Sequence, residues 1–231
     1  MNVTKEHAEH LVTEFKTRIE TYHGSYSFLY TAPINIFSQY VFVGLMPGGD
    51  AEDPPNLFLK KGNAYVDEKW DKTTGGYNLL QKEVIKFFKG LSHHVGIEKW
   101  DDWMSHSWLI SNYVFYRSAD WDSMKKNKGQ MEVCKGIWRD IFAISVPKVL
   151  VCYGKDCYFN MKELIHEKGF TVDDEKLSDG SWKGPNVAIL KRGEQQCLLV
   201  GFYCLSRYRI IERPENKATM DLVYRQIKAH L

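Results

Sequence analysis

Tyr40-Val41-Phe42-Val43-Gly44-Leu45-Met46-Pro47-Gly48-Gly49 is the stretch whose reading decides the fold class. Its first four residues are β-branched or aromatic, and apolar and polar positions do not alternate. That pattern suits a short strand covered on both faces. The run passes directly into a loop rich in glycine. Glycine lets the backbone approach a neighbour or ligand closely, Pro47 stiffens the turn, and backbone N–H groups in such a turn can cradle an anion. A tight turn after a buried strand accounts for the same residues equally well.

Outward from this stretch, strand and helix signals alternate. Upstream, Ala8, Leu11, Val12, Phe15 and Ile19 fall on one helical face, with Thr4 as N-cap and a stop near His23-Gly24. Residues 50–76 are polar and rich in Pro, Gly, Asn and Asp, a long excursion of the kind that tends to be functional in compact domains. Leu79, Leu80, Ile85 and Phe88 predict a helix ending at Gly90. Trp108-Leu109-Ile110 predicts a strand that runs into Ser111-Asn112-Tyr113. Met131, Cys134, Ile137, Trp138 and Ile141 form another helical face, and Lys148 to Gly154 is a strand ending in glycine. A helix around Met161 to Ile165 follows, then strand runs at Val187–Leu190 and Cys197–Gly201. Pro214 opens a last helix with Met220, Val223 and Ile227 on its apolar face. This order predicts an α/β fold with a mostly parallel sheet of four to five strands covered on both sides. It also predicts one domain over 1–231, with 1–37 as a helical extension packed on it.

The bulk properties bound the function classes. The chain has 231 residues, 44% hydrophobic and 26% charged, which describes a globular protein able to bury a core. The net charge of +2 neither demands nor excludes nucleic acid, because a neutral chain can carry a basic face. No run approaches the ~18 apolar residues of a spanning helix, and the charged N-terminus is unlike a signal peptide. The expectation is a cytoplasmic protein with no membrane partner. Cys134, Cys152, Cys157, Cys197 and Cys204 include no CxxC pair and read as reduced, structural thiols. His93, His94, His106, Asp101 and Asp102 have no spacing that fixes them around a metal, so they read as surface residues.

In a mostly parallel sheet, ligands bind at the carboxyl ends of the strands. That rule selects the loops after Val43, Ile110, Val151 and Val200. Asn112, at the end of the second strand, carries a donor and an acceptor on one amide and can match the edge of a base, or simply cap a turn. Arg117 can bind phosphate or pair with a surface carboxylate. The last loop, Phe202 to Arg209, interleaves aromatics with arginines, as nucleic-acid surfaces often do, with Lys217 just beyond.

These four loops together resemble the uracil-DNA glycosylase superfamily, over roughly residues 38 to 230 in element order. The first motif, Gly-x-(Asn, Asp or Ala)-Pro, corresponds to Gly44-Leu45-Met46-Pro47. The aromatic that stacks on the extruded base corresponds to Phe58, and the base-reading asparagine to Asn112. The last motif, His-Pro-Ser or His-x-Ser, becomes Cys204-Leu205-Ser206, with Arg207 next. The resemblance implies a three-layer α/β/α fold and excision of uracil or a deaminated base from single- or double-stranded DNA, without metal or cofactor. It implies a base pocket of Gly44, Met46, Pro47, Gly48, Phe58 and Asn112, and a DNA-backbone surface of Arg117, Arg207, Arg209 and Lys217. Cys204 and Ser206 fall on the catalytic motif.

Two departures strike catalytic groups. Cleaving a glycosidic bond needs a placed water and stabilisation of the departing base anion. Met46 cannot place water, and the Cys204 thiol is a weak donor. Asp50 then becomes the candidate for placing water, with Asp53 read as a solvated loop charge. The alternative is a catalytically altered protein on the same fold that binds a nucleobase or DNA. A nucleoside-processing hydrolase using the same strand ends is a third reading. The sequence leaves the oligomeric state open.

Overall fold

In the computed structural model, which describes residues 5–49, 52–176 and 185–231, six strands form one sheet. They are β1 (Tyr40–Gly44), β2 (Trp108–Asn112), β3 (Val149–Tyr153), β4 (Thr171–Lys176), β5 (Asn186–Arg192) and β6 (Gln195–Phe202). Their order across the sheet is β2-β1-β3-β6-β5-β4. β2, β1, β3 and β6 run parallel, whereas β5 and β4 add to the β6 side as antiparallel strands. The expected mostly parallel sheet of four to five strands is therefore corrected to a mixed sheet of six.

Chain length explains the first part of that correction. Only Gly193 and Glu194 separate β5 from β6, and a parallel return needs a crossover of a dozen or more residues. Gly193, at φ +59°, closes the tight hairpin. β4 has no apolar pattern to read, since Thr-Val-Asp-Asp-Glu-Lys carries one apolar side chain. It is an edge strand with exposed charges and a register shift between Val172 and Asp174, features that discourage pairing with another chain.

The helices are α1 (Lys5–Ile19), α2 (Ala64–Asp67), α3 (Leu79–Val95), α4 (Trp100–Ser107), α5 (Trp121–Lys126), α6 (Lys128–Ile144), α7 (Lys155–His166) and α8 (Lys217–His230). Alternate strand residues face opposite apolar clusters. Val41, Val43, Leu109, Leu150 and Leu199 share one with Phe15 of α1, Trp138 of α6 and Met161 of α7. Phe42, Ile110, Val151 and Val200 share the other with Phe87 of α3, Met104 of α4 and Val223 of α8. The uninterrupted apolar runs in the sequence follow from this double coverage. Among the described residues, no helix is long and apolar enough to cross a membrane.

Several boundaries differ from the sequence reading. α1 ends at Ile19, before His23-Gly24, and Thr4 lies outside the described residues. α3 does not stop at Gly90; it runs to Val95 and ends on Gly96 at φ +80°. Gly90 serves packing, because the Tyr224 hydroxyl lies 2.5 Å from where a side-chain carbon would stand. Pro214 opens a 3-10 turn, Pro214–Asn216, and α8 begins after it.

The open edge of β2 is covered by residues 26–31. Leu29 pairs antiparallel with Ser111, and the Tyr30 N–H donates to the Ile110 carbonyl at 3.0 Å. The far side of this segment accepts the excursion: the N–H groups of Phe28 and Leu29 donate to the carbonyls of Asn56 and Leu57, both at 3.0 Å. Much of the loop between β1 and α3 is thereby attached to the sheet, and Tyr30 is carried to the end of β2.

Candidate functional site

The parallel register places Asn112, Gly44 and Tyr153 side by side at the carboxyl ends of β2, β1 and β3, with Phe202 next on β6. Asn112 and Tyr153 lie on the same face of the sheet. Gly44 separates them and has no room for a side chain, because a Cβ there would stand 2.1 Å from the Tyr153 hydroxyl and 2.4 Å from Asn112 Oδ1. The glycine is therefore required by close approach across the sheet, not by a positive φ.

Asn112 is 1% exposed. Its Nδ2 donates to the Tyr30 hydroxyl at 2.9 Å, and its Oδ1 accepts from the Tyr153 hydroxyl at 3.4 Å. The Tyr153 oxygen lies 2.7 Å from the Tyr65 hydroxyl, whose proton completes the chain. The backbone at this point is pinned from the other face of the sheet, where Trp138 Nε1 donates to the Asn112 and Tyr113 carbonyls at 3.3 and 3.1 Å. Burial is the main cause that raises the titration of Tyr30, Tyr65 and Tyr153 above the ordinary phenol value; neighbouring phenols add to it at Tyr65 and Tyr153, whereas hydrogen bonds with Ser27 and Asn112 act against it at Tyr30. All three stay protonated at neutral pH. The row thus consists of neutral groups: one amide and three phenols. Trp70 closes its outer side, with its ring 4.9 Å from that of Tyr65 and 6.1 Å from that of Tyr30.

The loop after β1 is held by its carbonyls. Those of Gly44 and Leu45 accept from the N–H groups of Tyr113 and Val114 at 2.7 and 3.0 Å. Arg117 donates from its guanidinium to the Gly48 carbonyl and, through Nε, to the Ser25 hydroxyl at 3.1 Å. Arg117, expected at the DNA backbone, is thus placed as a clamp on this loop. Arg117→Ala is expected to lower stability by about 1 kcal/mol and to speed hydrogen exchange at residues 45–49.

The other sequence candidates separate into those near the row and those away from it. Met46 packs with Leu45 against the cluster on the opposite face from Asn112 and Tyr153, and Pro47 is buried. Gly48 is exposed. Asp50 lies outside the described residues. Asp53 is half-buried, and its Oδ2 lies 2.3 Å from where a Cβ on Gly49 would stand, so this carboxylate folds back onto the loop. Phe58 is 39% exposed and lines a cavity with Lys60 and Lys61 whose walls include neither Gly44 nor Asn112. The aromatic rings beside Asn112 are instead Tyr30, Tyr65 and Tyr153.

The last loop begins beside the row. Cys204 lies close enough to Tyr153 to influence its titration, and its sulfur is 3.2 Å from the Ser206 hydroxyl. Leu205 is buried, whereas Ser206, Arg207, Tyr208, Arg209 and Lys217 are exposed. The loop is fixed from α3 by Glu83, whose side chain is fully buried. One carboxylate oxygen accepts the Ile210 and Ile211 N–H groups at 2.7 and 2.9 Å; the other meets Lys86 Nζ at 3.2 Å.

Cys134, Cys152, Cys157 and Cys197 are buried, and burial pushes the Cys134 thiol up to about 12. Among the described residues, no three His, Cys, Asp or Glu side chains are grouped to hold a metal ion. No family model matches the chain, and no curated protein sequence does so significantly.

Proposed function

We propose that this chain is a uracil-DNA glycosylase-like protein that recognises a nucleobase in DNA at the ends of β2, β1 and β3. The observation that carries the reading is the Asn112 amide, buried at a strand end beside a glycine that admits no side chain. Its two hydrogen-bond partners are tyrosine hydroxyls. A pyrimidine edge with one acceptor and one donor would take the place of those hydroxyls on the amide, with the Tyr153 hydroxyl still held by Tyr65. The exposed Arg207, Arg209 and Lys217 would supply charge for the DNA backbone.

The neutral composition of the row favours binding over cleavage. Hydrolysis needs a group that places water and one that stabilises the leaving anion, and an amide, phenols and the Cys204 thiol are poor at the first task. One observation favours excision as a second reading: the Asp53 carboxylate folded against Gly49, on the same loop as Asp50. Incubation with oligonucleotides carrying uracil, hypoxanthine or xanthine separates the two. Binding without abasic sites, weakened by salt and by Arg207→Ala, is the expected result. Abasic sites lost in Asp50→Ala or Asp53→Ala would establish excision, and no DNA binding at low salt would reject both.

A further inference from the structure

Tyr203 and Tyr208, on the loop after β6, are 38% and 44% exposed, and their ring centroids lie 5.7 Å apart. Neither belongs to the row of Asn112, Gly44 and Tyr153. A single large ring at a surface is ordinary. Two rings held together, with Arg207 and Arg209 on either side of Tyr208, make an apolar patch with a charged rim, and tyrosine and arginine are the residues that anchor binding surfaces.

The loop is fixed before anything binds. The N–H groups of Arg207 and Tyr208 both donate to the Cys204 carbonyl, at 3.2 and 3.1 Å, which closes a turn between the two tyrosines. Leu205, inside that turn, is buried in the cluster with Val200 and Phe202. Beyond Tyr208, Glu83 holds the Ile210 and Ile211 N–H groups, and Asn216 Nδ2 donates to the Ile210 carbonyl at 3.0 Å. A surface anchored in this way loses little conformational freedom on binding.

The neighbouring charges narrow the ligand. Glu212 pairs with Lys86, and Glu215 lies 3.7 Å from Arg213. Among the described residues, no carboxylate pairs with Arg207 or Arg209, and both are exposed. Ring faces beside unneutralised guanidinium groups suit a polyanion that offers aromatic faces of its own, which is an unpaired nucleic-acid strand. In a duplex each base face is covered by its neighbours, and the tyrosines would find only edges and phosphates. Tyr203 also follows Phe202, whose Cα pairs with that of Tyr153 in the row. Steps of ~3.8 Å along the chain and ~4.8 Å between strands put the Tyr203 Cα within about 9 Å of the Tyr153 Cα. A stacked strand advances ~3.4 Å per nucleotide, so one with a base at Asn112 reaches these rings within a few nucleotides.

We infer that Tyr203 and Tyr208 form a stacking platform for unpaired DNA. They hold bases that flank the one at Asn112, while Arg207 and Arg209 meet the phosphates. As a role toward flanking bases it rests on the proposed recognition at Asn112, and it makes the preferred ligand a single strand.

Fluorescence anisotropy at fixed low salt tests it with three labelled DNAs. They are a short single strand with a central uracil, the duplex of that strand with its complement, and the same single strand with tetrahydrofuran residues in place of the bases flanking the uracil. The first should bind about tenfold tighter than either of the others. Tyr203→Ala and Tyr208→Ala alter exposed side chains; each should weaken binding of the first about tenfold and leave the strand with base-free flanks unaffected. Tyr203→Phe and Tyr208→Phe keep the ring face and should bind as the unaltered protein does. Equal affinity for duplex and single strand would overturn the platform. So would alanine variants that bind the uracil strand undiminished, phenylalanine variants as weak as alanine, or no DNA binding. Failure of recognition at Asn112 has a different signature: uracil and cytosine strands bound alike, with both alanine changes still weakening each, which would leave the platform in place.

Discussion

Glu83→Ala is expected to lower the stability of the protein by about 3–5 kcal/mol, within the cost of leaving two buried backbone N–H groups without an acceptor. The carboxylate lies on α3 within the apolar cluster that contains Val84, Phe87 and Val223. It gives acceptors to two consecutive backbone N–H groups and to Lys86, which also reaches Glu212 at 2.7 Å. Alanine leaves the N–H groups of Ile210 and Ile211 buried and unmet, because both residues are nearly inaccessible to water. The loop carrying Cys204 to Arg209 loses its anchor on one side. Denaturant melts should show the loss of stability, and hydrogen exchange should accelerate first at residues 203–213. Glu83→Gln keeps one acceptor oxygen and should lose less. Equal losses in the two variants would show that charge, not acceptance by the loop amides, is what matters at this position.

Gly44→Ala is the second large effect. The added methyl would stand 2.1 Å from the Tyr153 hydroxyl, 2.2 Å from its ring carbon and 2.4 Å from Asn112 Oδ1. These atoms cannot retreat freely. The Tyr153 ring packs against Phe42 at 5.4 Å, and its hydroxyl is tied to Tyr65 and Asn112. The expected destabilisation is about 3 kcal/mol, from overpacking together with the broken hydroxyl chain. For a domain of this size that corresponds to a fall of roughly 6–12 °C in melting temperature. Gly48→Ala provides the contrast on the same loop. A Cβ there meets nothing within 4 Å, so the change should stay within about 0.5 kcal/mol. A melting temperature for Gly44→Ala equal to that of Gly48→Ala would contradict the described packing.

The parts of this fold that are legible in the sequence are those with one dominant cause. The apolar runs at Val41, Leu109, Leu150 and Leu198 are short, rich in β-branched or aromatic residues or followed by glycine, and read as strands buried on both faces; they supply the four parallel strands of the site. β4 is illegible because an edge strand exposed on both faces needs no hydrophobic period. The β5–β6 hairpin was open to inference from the six residues between the runs 187–190 and 197–201, since a parallel return needs a crossover of a dozen or more. For the site, Asn112 and Gly44 can be read from their places after buried strands. Tyr153 carries the same signal, immediately before Gly154, and the polar–aromatic alternation of Ser25-Tyr26-Ser27-Phe28 hints at the edge segment that delivers Tyr30. Nothing in the sequence places Tyr65 or Glu83. Both act across the fold, Tyr65 on a residue of β3 and Glu83 on a loop more than a hundred residues later. Phe58 shows the converse: spacing along the chain assigns it to the pocket, whereas pairing of Asn56 and Leu57 with residues 26–29 directs it to another cavity.

The amide of Asn112 is the point on which the proposed function turns. Its most direct test is the affinity for two otherwise identical single-stranded oligonucleotides, one with a central uracil and one with a central cytosine, at fixed low salt. Asn112 offers one donor and one acceptor, and Asn112→Asp replaces the donor by a second acceptor at nearly constant volume. The expected result is tighter binding of the uracil strand by the unaltered protein and equal affinity for both strands in Asn112→Asp, with the cytosine strand bound as before. A preference that persists in Asn112→Asp, or an unaltered protein that does not distinguish the strands, would contradict base recognition at this site.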